Sequence, residues 1–270
     1  MEERANYGKE HEDKSIEDFW ENIFFTDEAH IDPTSQAVGN ILREKGKRYN
    51  SENIQQRGEK KGVKFHVAAW ITWHAKAEKL EFYNDEEEYT QRPPRLPKPR
   101  RWPTTESEEE YQSRIIEWEA LLPHEQEVKP KGNAMTQKYY CERLLLVYIK
   151  AVQTARLYDS RPWILQEDGD PSHGKRKYGL AQQLKDENWI DNLYHPAQSP
   201  DLNPMEGIWN ILKQRLRRRV FHSKEEVKEA LQEEWGKITM AEVRKRISSM
   251  PERCKELVRT GGKPIKKALW

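Results

Sequence analysis

Five short runs of β-branched and aromatic residues, separated by longer stretches of helical period, constrain this chain more than any other feature. Ile23-Phe24-Phe25-Thr26 predicts a buried strand that ends in Asp27-Glu28. Val63 to Trp73 predicts a second strand, and Lys79 to Tyr83, with Leu80 and Phe82 alternating, a third paired with it as a hairpin. Pro162 to Gln166, followed by Glu167-Asp168-Gly169, predicts a fourth, and Ile190 to His195 a fifth. Helical patterns cover Thr136 to Val152, Tyr178 to Glu187, Pro204 to about Val220, and about 223–237 and 240–258. Such an order gives an α/β fold, a mixed five-stranded sheet flanked by helices. Acidic residues fall at the ends of the first and fourth strands.

The 270 residues suffice for one large domain or two small ones. Residues 1–22 read as a polar lead-in, 23–262 as the main domain and 263–270 as a basic tail. A segment at about 84–133 differs in composition and reads as an insertion after the third strand. It holds the acidic run Asp85 to Glu88, the Pro-rich basic run Arg92 to Arg101, and a capping-box pattern at Ser107-Glu108-Glu109-Glu110. Tyr111, Ile115, Trp118 and Leu122 then recur at helical spacing.

Several classes are excluded. No stretch approaches the roughly 18–20 apolar residues of a membrane span. The acidic N-terminus lacks the order of a signal peptide. Two cysteines, Cys141 and Cys254, support neither a disulfide framework nor a thiolate zinc site, so a reducing compartment, cytosol or nucleus, is expected. The net charge is +1, but residues from 204 onward hold 17 Lys+Arg against 9 Asp+Glu. A basic face is therefore hidden in a balanced average.

Three segments carry chemistry: Phe24-Phe25-Thr26-Asp27-Glu28, Leu165-Gln166-Glu167-Asp168-Gly169-Asp170-Pro171-Ser172-His173, and Ser199-Pro200-Asp201-Leu202-Asn203-Pro204-Met205-Glu206. Taken singly, each acid has an ordinary reading. Asp27 and Asp168 suit strand-end turns, and Glu206 suits a capping position after Asn203 and Pro204. Together, and in this order, the segments resemble the catalytic domain of Tc/mariner transposases, members of the DDE superfamily with a ribonuclease H-like fold. The D-x-x-P-x-H element and S-P-D-L-N-P-x-E carry the resemblance. Ser249-Met250-Pro251-Glu252-Arg253 and Gly261-Gly262 resemble the end of these domains.

Matched residue by residue, the resemblance makes Asp27, Asp168 and Glu206 the catalytic, metal-binding acids. With 37 residues between Asp168 and Glu206, the spacing exceeds that of the shorter members, and the extra length falls in a surface-like segment, 174–190. The physical need is clear. Phosphodiester cleavage charges the attacking and leaving oxygens, and two Mg²⁺ or Mn²⁺ ions stabilise both. These hard cations want carboxylate oxygens. Without metal, the clustered carboxylates repel, and one tends to take up a proton. Glu28, Glu167 and Asp170 read as solvated or supporting acids.

The resemblance implies a nuclear transposase that cuts DNA at transposon ends and joins the freed 3′-hydroxyl to target DNA, and a homodimer is among the partners it implies. Members carry helix-turn-helix modules before the catalytic domain, and Asp27 stands too near Met1 for them. A truncated product, a fragment or a domesticated remnant is expected, and the rival reading is a catalytically silent nucleic-acid-binding remnant. For DNA, the helix from Pro204 places Asn210, Lys213 and Arg217 within about 40° of Glu206. Arg215, Arg218 and Arg219 add charge at its end. His173 is expected either to face DNA or to support a metal-bound carboxylate.

Overall fold

The computed structural model describes residues 1–32, 64–85, 97–102, 105–121, 135–174, 178–217 and 219–265. Val63, Glu86 to Glu88, Arg92 to Leu96, Leu122, Arg218 and the tail from Lys266 lie outside the described residues. A five-stranded sheet is formed by β1 (Ile23–Ile31), β2 (Phe65–Ile71), β3 (Glu81–Tyr83), β4 (Ile164–Gln166) and β5 (Asp191–Leu193). Their order is β3-β2-β1-β4-β5. β1, β2 and β3 pair antiparallel, whereas β4 and β5 run parallel to β1.

β1 does not stop at Thr26. It continues through Asp27 and Glu28 to Ile31 because β2 pairs with it from Phe25↔Ile71 to Ile31↔Phe65. Asp27 is thus a mid-strand residue opposite Ala69, not a turn acid. Strand alternation sends successive side chains to opposite faces. Ile23 and Phe25 enter a core with the C-terminal helices, while Phe24 enters a second core with Tyr140, Leu144, Tyr148 and Trp163.

Nine α-helices are described: α1 (Glu2–His11), α2 (Glu108–Leu121), α3 (Gln137–Tyr140), α4 (Leu146–Tyr158), α5 (Leu180–Glu187), α6 (Pro204–Leu216), α7 (Lys224–Gly236), α8 (Met240–Ile247) and α9 (Met250–Thr260). The apolar helix expected from Thr136 is α3 joined to α4 through a π-helical segment, Cys141–Leu145. The expected helix at 240–258 is two helices. Pro251 lacks the N–H needed within a helix but suits the first turn of a new one.

The polar lead-in is also structured. α1 packs on α9, burying Arg4, Tyr7, Gly8 and His11. The helices cross closely at Gly8, where a Cβ would fall 2.8 Å from the Cys254 carbonyl oxygen.

The chain divides into two compact units, 1–85 with 135–270, and 86–134. The smaller unit contains α2. Its start is a reciprocal cap: Glu110 N–H donates to Ser107 Oγ at 3.2 Å, and Ser107 N–H donates to Glu110 Oε2 at 2.9 Å. Arg114 lies over the Trp102 ring at 4.4 Å and pairs with Glu106.

Candidate active site

The three acids stand on three different elements of the larger unit. Asp27 is half-buried on β1, and Trp209 Nε1 of α6 donates to its Oδ2 at 2.9 Å. Burial holds its carboxyl well above the ordinary value, and the negative charges of Glu206, Glu28 and Asp168 push it the same way. Glu206 is the third residue of α6, whose cap is made by Asn203 accepting from the Met205 N–H. Burial raises its carboxyl too, with Lys213 opposing and Asp168 adding.

Asp168 follows β4 and is half-exposed. Burial works to raise its carboxyl, but the His173 bond and charge and the Asp170 N–H hold it down to about 2. The three carboxylates therefore feel one another's charge. Among the described residues, no group of three or more His, Cys, Asp or Glu stands ready-made to hold a metal ion. The acids share a field without being closed on a common point.

His173 sits in a 3-10 turn, Pro171–His173, capped by Asp170. Its ring is buried, with Nδ1 3.0 Å from Asp168 Oδ1 and Nε2 3.6 Å from Glu28 Oε2. Burial alone would lower its pKa, but Glu28, Asp168 and Glu167 raise it to about 9. A ring 1% exposed offers no DNA contact, so the DNA-facing role expected for His173 is corrected. It supports Asp168 from inside the protein.

Glu28 is likewise not solvated. It accepts from Tyr148 Oη at 3.2 Å, and burial raises its carboxyl to about 7 against the opposing charge of His173. Glu167 is fully buried. Lys185 Nζ donates to its Oε2 at 2.6 Å, and Tyr140 Oη donates to its Oε1. Lys185 also donates to the His173 carbonyl oxygen at 3.2 Å, and the Tyr140 and His173 rings meet tilted at 47°, with centroids 4.4 Å apart. Although burial opposes it, this company keeps the Glu167 carboxyl below the ordinary range.

Tyr140, Tyr148 and Lys185 carry no sequence signal as site residues. Only the spacing of Lys185, four residues after buried Ala181, hints that it faces inward. The 174–190 segment is thus more than surface, because α5 supplies this buried cation.

Along α6, Asn210 and Arg217 are exposed and Lys213 is half-buried. Lys213 lies within electrostatic reach of Glu206 and His30. Arg215 pairs with Glu242 at 2.7 Å and Arg219 with Glu233 at 3.2 Å, so neither is a spare cation for DNA. Asp201 is gripped by Arg4 through two bonds of 2.7 and 2.6 Å and by the Ile265 N–H at 2.8 Å. Arg253 donates to the Asp201 carbonyl oxygen at 2.7 Å.

Residues 129–228 match the DDE superfamily endonuclease family. The chain is 34% identical over 112 residues to the Tcb1 transposase of Caenorhabditis briggsae, which covers 42% of this chain and 40% of that protein. It is 32% identical over 102 residues to the Tc1 transposase of Caenorhabditis elegans, covering 38% and 36%. The matched region is thus about two fifths of these relatives' length. The fold is similar to the catalytic domain of the Mos1 mariner transposase, with a TM-score of 0.60 at 18% identity over 98% of this chain and 96% of that one. A Mos1 paired end complex with Mn matches with a TM-score of 0.64 at 20% identity, over 98% of this chain and 63% of that one. In its family match, its relatives and its five-stranded sheet, the chain is similar to Tc/mariner transposases of the DDE superfamily.

Proposed function

We propose that this domain is a metal-dependent DNA endonuclease and strand-transfer catalyst, with Asp27, Asp168 and Glu206 as the ligands of two Mg²⁺ or Mn²⁺ ions. The observation that carries the reading is the electrostatic coupling of these three acids, delivered by β1, the end of β4 and the start of α6. The donor set fits. It consists of hard carboxylate oxygens, and the carboxyls of Asp27 and Glu206 are raised first by burial and further by neighbouring acids. Two bound cations supply charge neutralisation for the attacking and leaving oxygens and a more acidic attacking water.

The chain's own residues set up that chemistry. Trp209 fixes the Asp27 carboxylate by its indole N–H. His173 keeps Asp168 ionised and oriented, with Glu28 on the other ring nitrogen. Glu206 lies in the first turn of α6, where the helix dipole favours its ionised form. Asn210, Lys213 and Arg217 extend from Glu206 along α6 and offer a path for the phosphate backbone of transposon-end or target DNA. Pairing of two copies on DNA, in keeping with the paired end complex of Mos1, and action in the nucleus follow from the same reading.

The test is cleavage of plasmid or pre-nicked DNA with Mg²⁺ or Mn²⁺. Nicking that requires metal and disappears in Asp168→Asn and Glu206→Gln, with folding retained by circular dichroism, supports the assignment. Metal-dependent nicking that survives both substitutions overturns it.

A further inference from the structure

The segments that bear Asp27, Asp168 and Glu206 are tied together by their neighbours in sequence. Thr26 Oγ1 donates to the Gln166 carbonyl oxygen at 2.8 Å, which links β1 to β4. Gln166 Nε2 donates to the Leu202 carbonyl oxygen at 3.4 Å, which links β4 to the loop before α6. Asn203 Nδ2 donates to the Thr26 carbonyl oxygen at 3.0 Å and returns the chain of contacts to β1. The three side chains stand one, two and three residues before the three acids. All are buried, at 2%, 0% and 3% exposure, so water does not compete for these bonds.

The ring does something the sheet does not. β1 and β4 already share a backbone ladder that includes Phe25↔Gln166. α6, being a helix, shares none. Its start is fixed to the sheet through the amides of Asn203 and Gln166. Asn203 holds two tasks at once, since its Oδ1 caps α6 through the Met205 N–H at 3.1 Å. Gln166 even leaves its Oε1 without a hydrogen-bond partner inside the protein. A buried unpaired acceptor costs stability, which points to the Gln166 tie being kept for placement.

We propose that Thr26, Gln166 and Asn203 are positioning residues whose ring of hydrogen bonds sets the spacing of the three carboxylates and thereby the affinity for divalent cations. The inference rests on the metal-binding reading above. The carboxylates repel one another, so their separation has to be imposed from outside the cluster. Groups that orient metal ligands from behind typically change affinity by about 10–100-fold when removed.

The experiment measures Mn²⁺ affinity of the full chain without DNA, by electron paramagnetic resonance of free Mn²⁺. Thr26→Val removes one donor with little change of shape. Gln166→Met removes the second. Asn203→Ser keeps a residue that caps helices but removes the third donor. Ser223→Ala, which removes the cap of α7 far along the chain, serves as a control for general destabilisation. Melting temperatures are recorded for all four. The expected result is a loss of Mn²⁺ affinity of about ten-fold or more in each ring variant, with wild-type affinity in Ser223→Ala at a comparable loss of melting temperature. Wild-type affinity in folded ring variants overturns the positioning role and leaves the metal reading standing. A wild-type protein whose Mn²⁺ binding is absent, or is unchanged by Asp168→Asn, overturns both.

Discussion

Lys185→Met is the sharpest probe of how the interior supports Asp168. Lys185 and Glu167 are each fully buried and in contact at 2.6 Å. Replacing the lysine removes the direct ion pair of the Glu167 carboxylate in a dry site, where the Tyr140 hydroxyl and the His173 charge still act on it. Breaking one side of such a pair costs about 3–5 kcal/mol, because the other charge loses its direct counter-charge. The lost bond to the His173 carbonyl oxygen adds about 1 kcal/mol. For a chain of this size that predicts a fall in melting temperature of roughly 10 °C. The loss carries a pH signature. In the variant, burial is opposed by the His173 charge and the Tyr140 bond alone, so the Glu167 carboxyl rises and the folded state binds a proton more tightly than it does in wild type. Stability relative to wild type is then recovered as the pH falls through that raised value and lost as it rises. Glu167→Gln combined with Lys185→Met removes both charges and should recover most of the loss. The assay is urea unfolding of the three proteins at pH 5 and pH 8. A single variant within 1 kcal/mol of wild type, or a double variant no better than the single, refutes the picture of a desolvated, charge-paired support.

Three other outcomes are expected. Asp27→Asn keeps an oxygen for Trp209 while removing the charge that Glu206, Glu28 and Asp168 oppose, so the metal-free protein should melt higher by about 2–4 °C per kcal/mol relieved. Calorimetry showing a lower melting temperature would count against a strained acidic cluster. Stability of the metal-free protein should fall between pH 5 and about 9.5. His173 is held at about 9, above its unfolded value, and contributes about 3 kcal/mol that is present below about 6.5 and lost as the pH rises through 9. Glu28, raised to about 7, works in the same direction from about 4.5 upward, and a flat series of urea midpoints would show that neither group is coupled to folding. Lys213→Ala with Arg217→Ala should weaken DNA binding and reduce the slope of log affinity against log salt by about two. An unchanged slope in fluorescence anisotropy removes α6 from the DNA path.

How much of this could be read beforehand depends on whether the signal is local. α6 was legible because its cap, its proline and its apolar stripe lie within one short segment: Asn203, Pro204, then Met205, Ile208, Trp209, Leu212 and Leu216. The order of the acids was legible for the same reason, since each sits inside a compact motif. The extent of β1 was not, because its continuation to Ile31 depends on β2, whose pairing partners lie far along the chain. α1 shows the opposite failure. Its buried residues, Arg4, Tyr7, Gly8 and His11, follow helical spacing perfectly well, but a face made of such polar types does not look like a core. The fold uses them because Arg4 is needed to hold Asp201, and Gly8 is needed to let α9 approach. The same logic explains the site. A motif displays the acids that meet the substrate, whereas the groups that decide their charge states come from elements the motif does not contain: Tyr140 from α3, Tyr148 from α4 and Lys185 from α5. Asp27 and Asp168 are the same residue type, yet one is pushed well up and the other down to about 2. Asp27 is raised by burial and by the charges of Glu206 and Glu28, whereas Asp168 has His173 and the Asp170 N–H to oppose its burial. Motif matching assigns these two aspartates equal roles, and it is the surrounding packing that favours the ionised form of Asp168 and disfavours that of Asp27.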